Sequence, residues 1–426
     1  MNSDTNLLWG RNSRPDYLTS ISTISLMFSA PFIVYLCMIY SQYSTIFLNP
    51  INILHFDLNT FVNLGCWIMF QYMLMTIIPC KPSYGSITPG GYKLKYKTNG
   101  ALALIISIIF YTSTVPSTYI ANHWKELFVS ANIYGMILAI LVYLKGKYYP
   151  SYDKDVKITN NVLYDFYMGL ELNPRIGNFD LKLFFNGRPG IIGWVLINLS
   201  FMSKQLELNK SISNGMILVN LLQLLYVVDF FYNEDWYLRT IDIAHDHFGW
   251  MLSWGDLVWL PFMYTLQAQY LAYYPDNMSN INSLLVCILG LLGYVIFRLA
   301  NYQKDTFRNE MTDDYIPSIL GISELPKFLV VNYTSADGVV HNSNLLLSGL
   351  WGWSRHANYL GDLILSLCYG LSCGFDSLIP YIYFIYMTIL LIHRCFRDED
   401  RLTLKYGEGW KRYTNIVKYR LIPYIF

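Results

Sequence analysis

Apolar stretches close to the length that crosses a bilayer recur along the whole chain, and that recurrence leaves few folds open. They fall at about 17–40, 59–79, 100–120, 125–145, 190–203, 214–231, 250–274, 282–300, 359–372 and 376–393. Hydrocarbon offers no partner to a bare backbone group, so an open chain crosses it as helix. Several stretches are short or interrupted by Gly and Pro. The expectation is an all-α, polytopic integral membrane bundle with about ten transmembrane helices. Composition agrees: 54% of the 426 residues are hydrophobic and 14% charged, where a soluble domain carries about 25% charged residues. The run from Tyr17 to Tyr40 is too long for the apolar core of a cleaved signal and is expected to be the first span.

Charge and cysteine usage exclude several classes. A net charge of +1 points to neither nucleic acid nor an acidic partner. The seven cysteines (37, 66, 80, 287, 368, 373 and 395) are dispersed without a Cys-x-x-Cys pair, which suits packing better than disulfides or zinc. Only His245 and His247 stand close together among seven histidines, so no metal is expected. From Arg394 to Arg420 eight Lys or Arg oppose four Asp or Glu, which places that end in the cytosol by the positive-inside rule. Polar loops at 81–100, 147–190 and 301–345 separate the spans. The first carries Pro-Gly-Gly turns, and the last ends in β-branched residues around Ser-Ala-Asp-Gly, the pattern of a surface hairpin.

Three segments gather groups that a spanning helix carries only at a cost. In "RLANYQKDTFRNE", Lys304 and Arg308 are four apart and share one face of a helix running on from 282–300, an arrangement suited to phosphate. In "LWGWSRHANYLGD", Trp351, Arg355, Asn358 and Asp362 follow at helical steps, with Tyr359 on the flank. An aromatic belt accounts for the rings. It does not account for polar groups on one side, where each charge near the bilayer centre costs about 2.5–3.5 kcal/mol unless it faces a polar cavity. In "HRCFRDEDRLTLKYGEGWKRY", Arg394, Asp398, Arg401 and Lys405 draw a mixed-charge stripe flanked by Tyr406 and Tyr413. Snorkelling anchors and a solvated helix face are the plain readings of the cations. Taken together, the segments hold cations for phosphates, rings for stacking a base, and Asn or Asp for ribose hydroxyls or a carboxamide. No G-x-G-x-x-G loop accompanies them.

Upstream, "DWYLRTIDIAHDHFGWMLSWGDLVWLPFMYTLQAQYL" (235–271) is of membrane length yet holds Asp242, His245, Asp246, His247, Asp256, Tyr264 and Gln267. A polar network bracing the bundle suits the aspartates. Tyr264 lies within the apolar "WLPFMYTLQ", where a hydrophobic substrate meets a proton donor. A phenol, with an ordinary pKa near 10, gives its proton only to a strong base or to a forming cation.

At these motifs the chain resembles the sterol reductases of the endoplasmic reticulum. The resemblance rests on "FNGRPGIIGWVLINLSF", "LRTIDIAHDHFGWMLSWGDLVWLPFMYTLQ", "ANYQKDTFR", "YTSADG", "LLLSGLWGWSRHANYLGDL" and "IHRCFRDEDRLTLKYGEGWKRYTNIVKYRLIPYIF", and extends over most of the sequence. It implies one membrane domain over 1–426, with much of the sterol pocket in an N-terminal bundle (1–275) and an NADPH-binding C-terminal half (276–426). It implies cofactor contacts from Lys304, Arg308, Leu346, Trp351, Asn358, Tyr359, Asp398, Lys405, Tyr406 and Tyr413, and from the backbone of Leu402, Thr403 and Leu404 in a stretch that departs from the family pattern. The implied proton donor is Tyr264, with Asp246 and His247 beside it in the catalytic set. His247, where Δ14 members usually have Gly, favours reduction of the 7,8 double bond of a 5,7-diene sterol such as 7-dehydrocholesterol. The implied partners are the sterol and the lipid bilayer, in the reticulum membrane, or a host's reticulum if the source is a virus or parasite. A sterol 14-reductase, an isoprenylcysteine-type methyltransferase (though "RHANY" lacks that family's proline) and a non-catalytic sterol-binding scaffold are the alternatives.

Overall fold

The computed structural model describes residues 15–44, 54–276, 278–310, 316–317, 323–324, 326–334 and 340–426, without the side chains of 308–310, 316–317 and 323–324. The chain forms two compact units, one within Asn6–Asn277 and the other within Met278–Phe426.

In the first unit α1 (Tyr17–Tyr43) and α2 (Leu58–Ile77) start where an aspartate accepts an orphan amide: Thr19 N–H donates to Asp16 at 2.7 Å and Thr60 N–H to Asp57 at 2.7 Å. A hairpin follows, β1 (Pro82–Ile87) paired antiparallel with β2 (Lys93–Lys97), so the Pro-Gly-Gly segment is a turn as its sequence suggests. Next come α3 (Gly100–Thr114), α4 (Trp124–Tyr148), the short α5 (Leu181–Gly187), α6 (Pro189–Asn209) and α7 (Asn214–Tyr232). The 250–274 stretch is not one helix. It breaks into Trp250–Trp254, a π-helical turn over Gly255–Trp259, Leu260–Met263 and Leu266–Tyr273. Pro261 has no N–H for the ladder, and the Thr265 hydroxyl donates to the Pro261 carbonyl at 2.5 Å.

The interior of this unit is cross-linked by amides rather than purely greasy. Gln223 accepts from Trp194 Nε1 at 2.9 Å and Asn198 Nδ2 at 2.6 Å, and donates to Gln267 Oε1 at 3.1 Å. Asn198 and Gln223 are buried because each finds partners.

The second unit opens with α8 (Asn280–Glu310), the long helix expected to carry Lys304 and Arg308 together. A hairpin pairs β3 (Phe328–Thr334) with β4 (Val340–Leu346), as the β-branched pattern suggests, while its Ser-Ala-Asp-Gly tip lies outside the described residues. Then come α9 (Ala357–Leu371), α10 (Ile382–Tyr406) and α11 (Glu408–Ile416). Glycines let α8 and α9 cross at contact distance: a Cβ on Gly361 would stand 2.4 Å from the Phe297 nitrogen.

Among the described residues six helices are long and apolar enough to cross a membrane, by length and composition: Tyr17–Tyr43, Leu58–Ile77, Trp124–Tyr148, Asn214–Tyr232, Asn280–Phe307 and Ile379–Tyr406. The four remaining stretches of the sequence pattern are the short helices α3 and α9, the more polar α6 and the broken 250–274 segment. The fold is all-α and polytopic, and among the described residues strands are confined to hairpins.

Candidate functional site

In the second unit the expected cofactor residues fall on α8 (Lys304, Arg308), the end of the hairpin (Leu346), the turn with Trp351, the start of α9 (Asn358, Tyr359), α10 (Asp398 to Tyr406) and α11 (Tyr413). Lys304 Nζ sits 4.2 Å from the centre of the Trp351 ring, and Trp351 Nε1 donates to the Ala300 carbonyl at 2.8 Å. The indole packs with Leu346 and Phe307. Asn358 Nδ2 donates to Asn301 Oδ1 at 3.1 Å. Arg308 follows Lys304 by one turn on α8; its side chain lies outside the described residues.

The stripe drawn through Trp351, Arg355, Asn358 and Asp362 is corrected. A short turn over Leu350–Trp353 ends at Ser354, which is extended (φ −149°, ψ 145°), and α9 begins only at Ala357. Arg355 therefore leaves the stripe. Its guanidinium pairs with Glu399 at 2.7 Å and donates to the Val417 carbonyl at 3.3 Å, tying the chain's last turns to α10. Glu399 is shared with Arg420 at 2.6 Å.

Breaking the helix there places His356 where spacing rules do not look. Its ring stacks on Tyr359 (5.1 Å, 17°), with Nε2 3.5 Å from Asp398 and Nδ1 3.0 Å from the Arg420 carbonyl. Asp398 also accepts from Arg401 at 2.9 Å and has Lys304 among its charged neighbours. Tyr359 and Asp398 are thus joined through a histidine, with Lys304 acting on the Asp398 carboxylate.

At the end of α10, Lys405 lies over two rings, 4.1 Å from Tyr333 and 5.1 Å from Tyr406. The Tyr406 and Ser343 hydroxyls are 3.1 Å apart, so the hairpin and α10 share this corner. Tyr413 is buried against Trp410 (5.0 Å, 22°) with Leu402 packed on the same cluster. Burial pushes its phenol up to about 12, so it stays a donor at any physiological pH. Thr403 and Leu404 are exposed, and the Thr403 carbonyl accepts from Gly407 N–H at 2.9 Å.

The first unit holds the proposed proton-transfer residues. Tyr264 ends the Leu260–Met263 turn, its ring edge-on to Trp194 (5.2 Å, 76°) and its carbonyl held by Gln223 Nε2 at 3.1 Å. Asp246 and His247 are buried on a loop pinned from two sides. Lys182 Nζ donates to the carbonyls of Ile243 at 2.6 Å and Asp246 at 2.8 Å, and Phe248 N–H donates to the Glu171 carbonyl at 3.0 Å. Gly169, at φ +88°, admits this loop: a Cβ there would stand 2.4 Å from Gly249 N.

The family model described as "Ergosterol biosynthesis ERG4/ERG24 family" matches residues 16–426. The chain belongs to that family. Among curated relatives of this ERG4/ERG24 member, a 7-dehydrocholesterol reductase of Xenopus laevis is 45% identical over 98% of this chain and 94% of its own length. A probable 7-dehydrocholesterol reductase of Acanthamoeba polyphaga mimivirus is 45% identical over 100% of this chain and 99% of its own. A Delta(14)-sterol reductase of Mus musculus is 41% identical over 84% of each. As an ERG4/ERG24 protein the chain is a sterol reductase family member and a multi-pass membrane protein.

Two residues of the C-terminal cluster escaped the sequence reading. Asn301 precedes Lys304 and Arg308 by three and seven, so the same helical stripe contained it. His356 had no such signal, because only the break at Ser354 turns it toward Asp398.

Lys182 gives a pH test of the pinned loop. Burial pulls its ammonium from 10.5 to about 8, although Asp180, Asp246, Asp242 and Asp155 all act to hold it up. The unfolded chain therefore binds this proton more tightly, and stability rises with pH between these two values. Wild-type protein is expected to gain up to about 3 kcal/mol from pH 8 to 10.5 relative to Lys182→Met, read from unfolding midpoints in detergent. Parallel midpoints across that range would refute a buried ammonium.

Proposed function

We propose that this protein reduces the 7,8 double bond of a 5,7-diene sterol with NADPH, in the membrane of the endoplasmic reticulum. The observation that carries the reading is end-to-end likeness to proteins named 7-dehydrocholesterol reductase. The residues present suit the cofactor. Lys304, Arg308 and Lys405 supply cations for its phosphates, and Trp351, Tyr359, Tyr406 and Tyr413 supply rings and hydroxyls. Asp398 offers an acceptor for a ribose hydroxyl, and Leu346 backs the Trp351 indole. Leu402, Thr403 and Leu404 contribute backbone on α10.

Bound NADPH supplies a hydride. An alkene without a carbonyl is a poor hydride acceptor and must be protonated first or in the same step. In a 5,7-diene, protonation at one end of the 7,8 bond leaves an allylic cation that the neighbouring double bond stabilises. Tyr264 holds the proton on its phenol oxygen, with its backbone fixed by Gln223. Asp246 and His247, on the Lys182-pinned loop, supply polar support for a site that tolerates positive charge.

Membranes carrying this chain, given 7-dehydrocholesterol and NADPH, are expected to lose the ultraviolet absorbance of the conjugated diene, and to lose it far more slowly with NADH. Consumption of an 8,14-diene sterol with 7-dehydrocholesterol untouched would assign the chain to 14-reduction instead.

A further inference from the structure

Two amides meet where α8 and α9 cross. Asn358 Nδ2 donates to Asn301 Oδ1, and that bond uses one donor and one acceptor of the pair. Asn301 Nδ2 and Asn358 Oδ1 remain buried with no hydrogen-bond partner among the described residues. Asn301 is only 3% exposed, so water does not readily satisfy it. Turning both amides over exchanges the atoms and leaves the same result, one NH2 donor beside one carbonyl acceptor. Buried groups of this kind are rarely left unmet, because each unmet group keeps its full desolvation cost.

The group that complements an adjacent donor and acceptor is a primary carboxamide, whose C=O accepts and whose NH2 donates. A carboxylate or phosphate presents acceptors alone and would oppose the Asn358 oxygen. Ala300, Leu350 and Ala357 form a buried apolar cluster beside the two amides, so the surroundings of the pair are largely dry. Asn301 lies one turn from Lys304, whose ammonium covers Trp351. We propose that Asn301 and Asn358 together form the receptor for the nicotinamide carboxamide, Asn301 donating to its oxygen and Asn358 accepting from its nitrogen. This rests on the NADPH reading above and makes Asn301 a further binding residue of the site.

Calorimetric binding to the full-length protein in lipid nanodiscs tests it with two ligands, NADPH and 2′-phospho-ADP-ribose, which keeps the phosphates and adenine but lacks nicotinamide. Asn301→Ala is expected to weaken NADPH about tenfold and leave the fragment unchanged. Asn301→Asp keeps an acceptor for Asn358 and the side-chain size while removing the donor, and is expected to show the same selective loss. Equal weakening of both ligands would reduce Asn301 to a helix-packing role and overturn the proposal, as would unchanged binding of both. Wild-type protein that binds the fragment but not NADPH also overturns it. Binding of neither ligand by the wild type would remove the NADPH reading itself, and the receptor with it.

Discussion

Tyr264→Phe protein is expected to bind NADPH like the wild type and to reduce sterol about 10²–10⁴-fold more slowly, the usual worth of a positioned general acid. The substitution removes the phenol oxygen and keeps the ring. The ring keeps its edge-on contact with Trp194 at 5.2 Å, and the backbone carbonyl keeps its bond from Gln223 Nε2 at 3.1 Å. Gln223 is in turn fixed by Trp194, Asn198 and Gln267, so the variant inherits an intact local network. Loss should therefore appear in kcat at saturating sterol, with the unfolding midpoint unmoved. Asp246→Asn and His247→Gln serve as contrasts, because both change a buried polar loop and are expected to lower stability as well as rate. Wild-type turnover by Tyr264→Phe would move the proton's source to that loop.

Some features of this protein were legible because they obey a period, and others were not because they depend on where a period stops. The long helix carrying Lys304 and the stripe from Arg394 to Lys405 follow from regular spacing, the hairpin at the end of the 301–345 loop follows from its β-branched residues, and all are present. The stripe through Arg355 failed for one reason. Its spacing assumed a helix across Ser354, whose extended backbone sends Arg355 to Glu399 and His356 to Asp398. Likewise 250–274 has the composition of one span, but Pro261 and the π turn divide it, and Tyr264 stands at one of the resulting ends. Interruptions cost helix hydrogen bonds, and here they fall beside Tyr264 and His356, residues of the two proposed sites.

Arg188→Met is expected to destabilise the protein by about 3–5 kcal/mol, enough to remove most folded material, although Arg188 has no part in either proposed site. Its guanidinium is 0% exposed and pairs with Glu234, itself 2% exposed. The Glu234 carboxylate also accepts from the Gly100 N–H at 2.9 Å, and Arg188 donates to Asn99 at 3.1 Å. Arg188 directly precedes α6, Glu234 follows the end of α7, and Gly100 opens α3, so one ion pair fastens the ends of three helices. Such a pair need not add much net stability, because desolvating two charges offsets their attraction; what is costly is leaving one of them alone. The consequence is a non-additive cycle. Glu234→Gln alone strands the guanidinium and should cost a similar amount, whereas Arg188→Met combined with Glu234→Gln, which still offers Gly100 an acceptor, should be markedly more stable than the sum of the two. Unfolding in detergent, followed by tryptophan fluorescence, measures all three. Additive losses would mean that each residue acts through its own packing, and that the charges at this junction are already served by water.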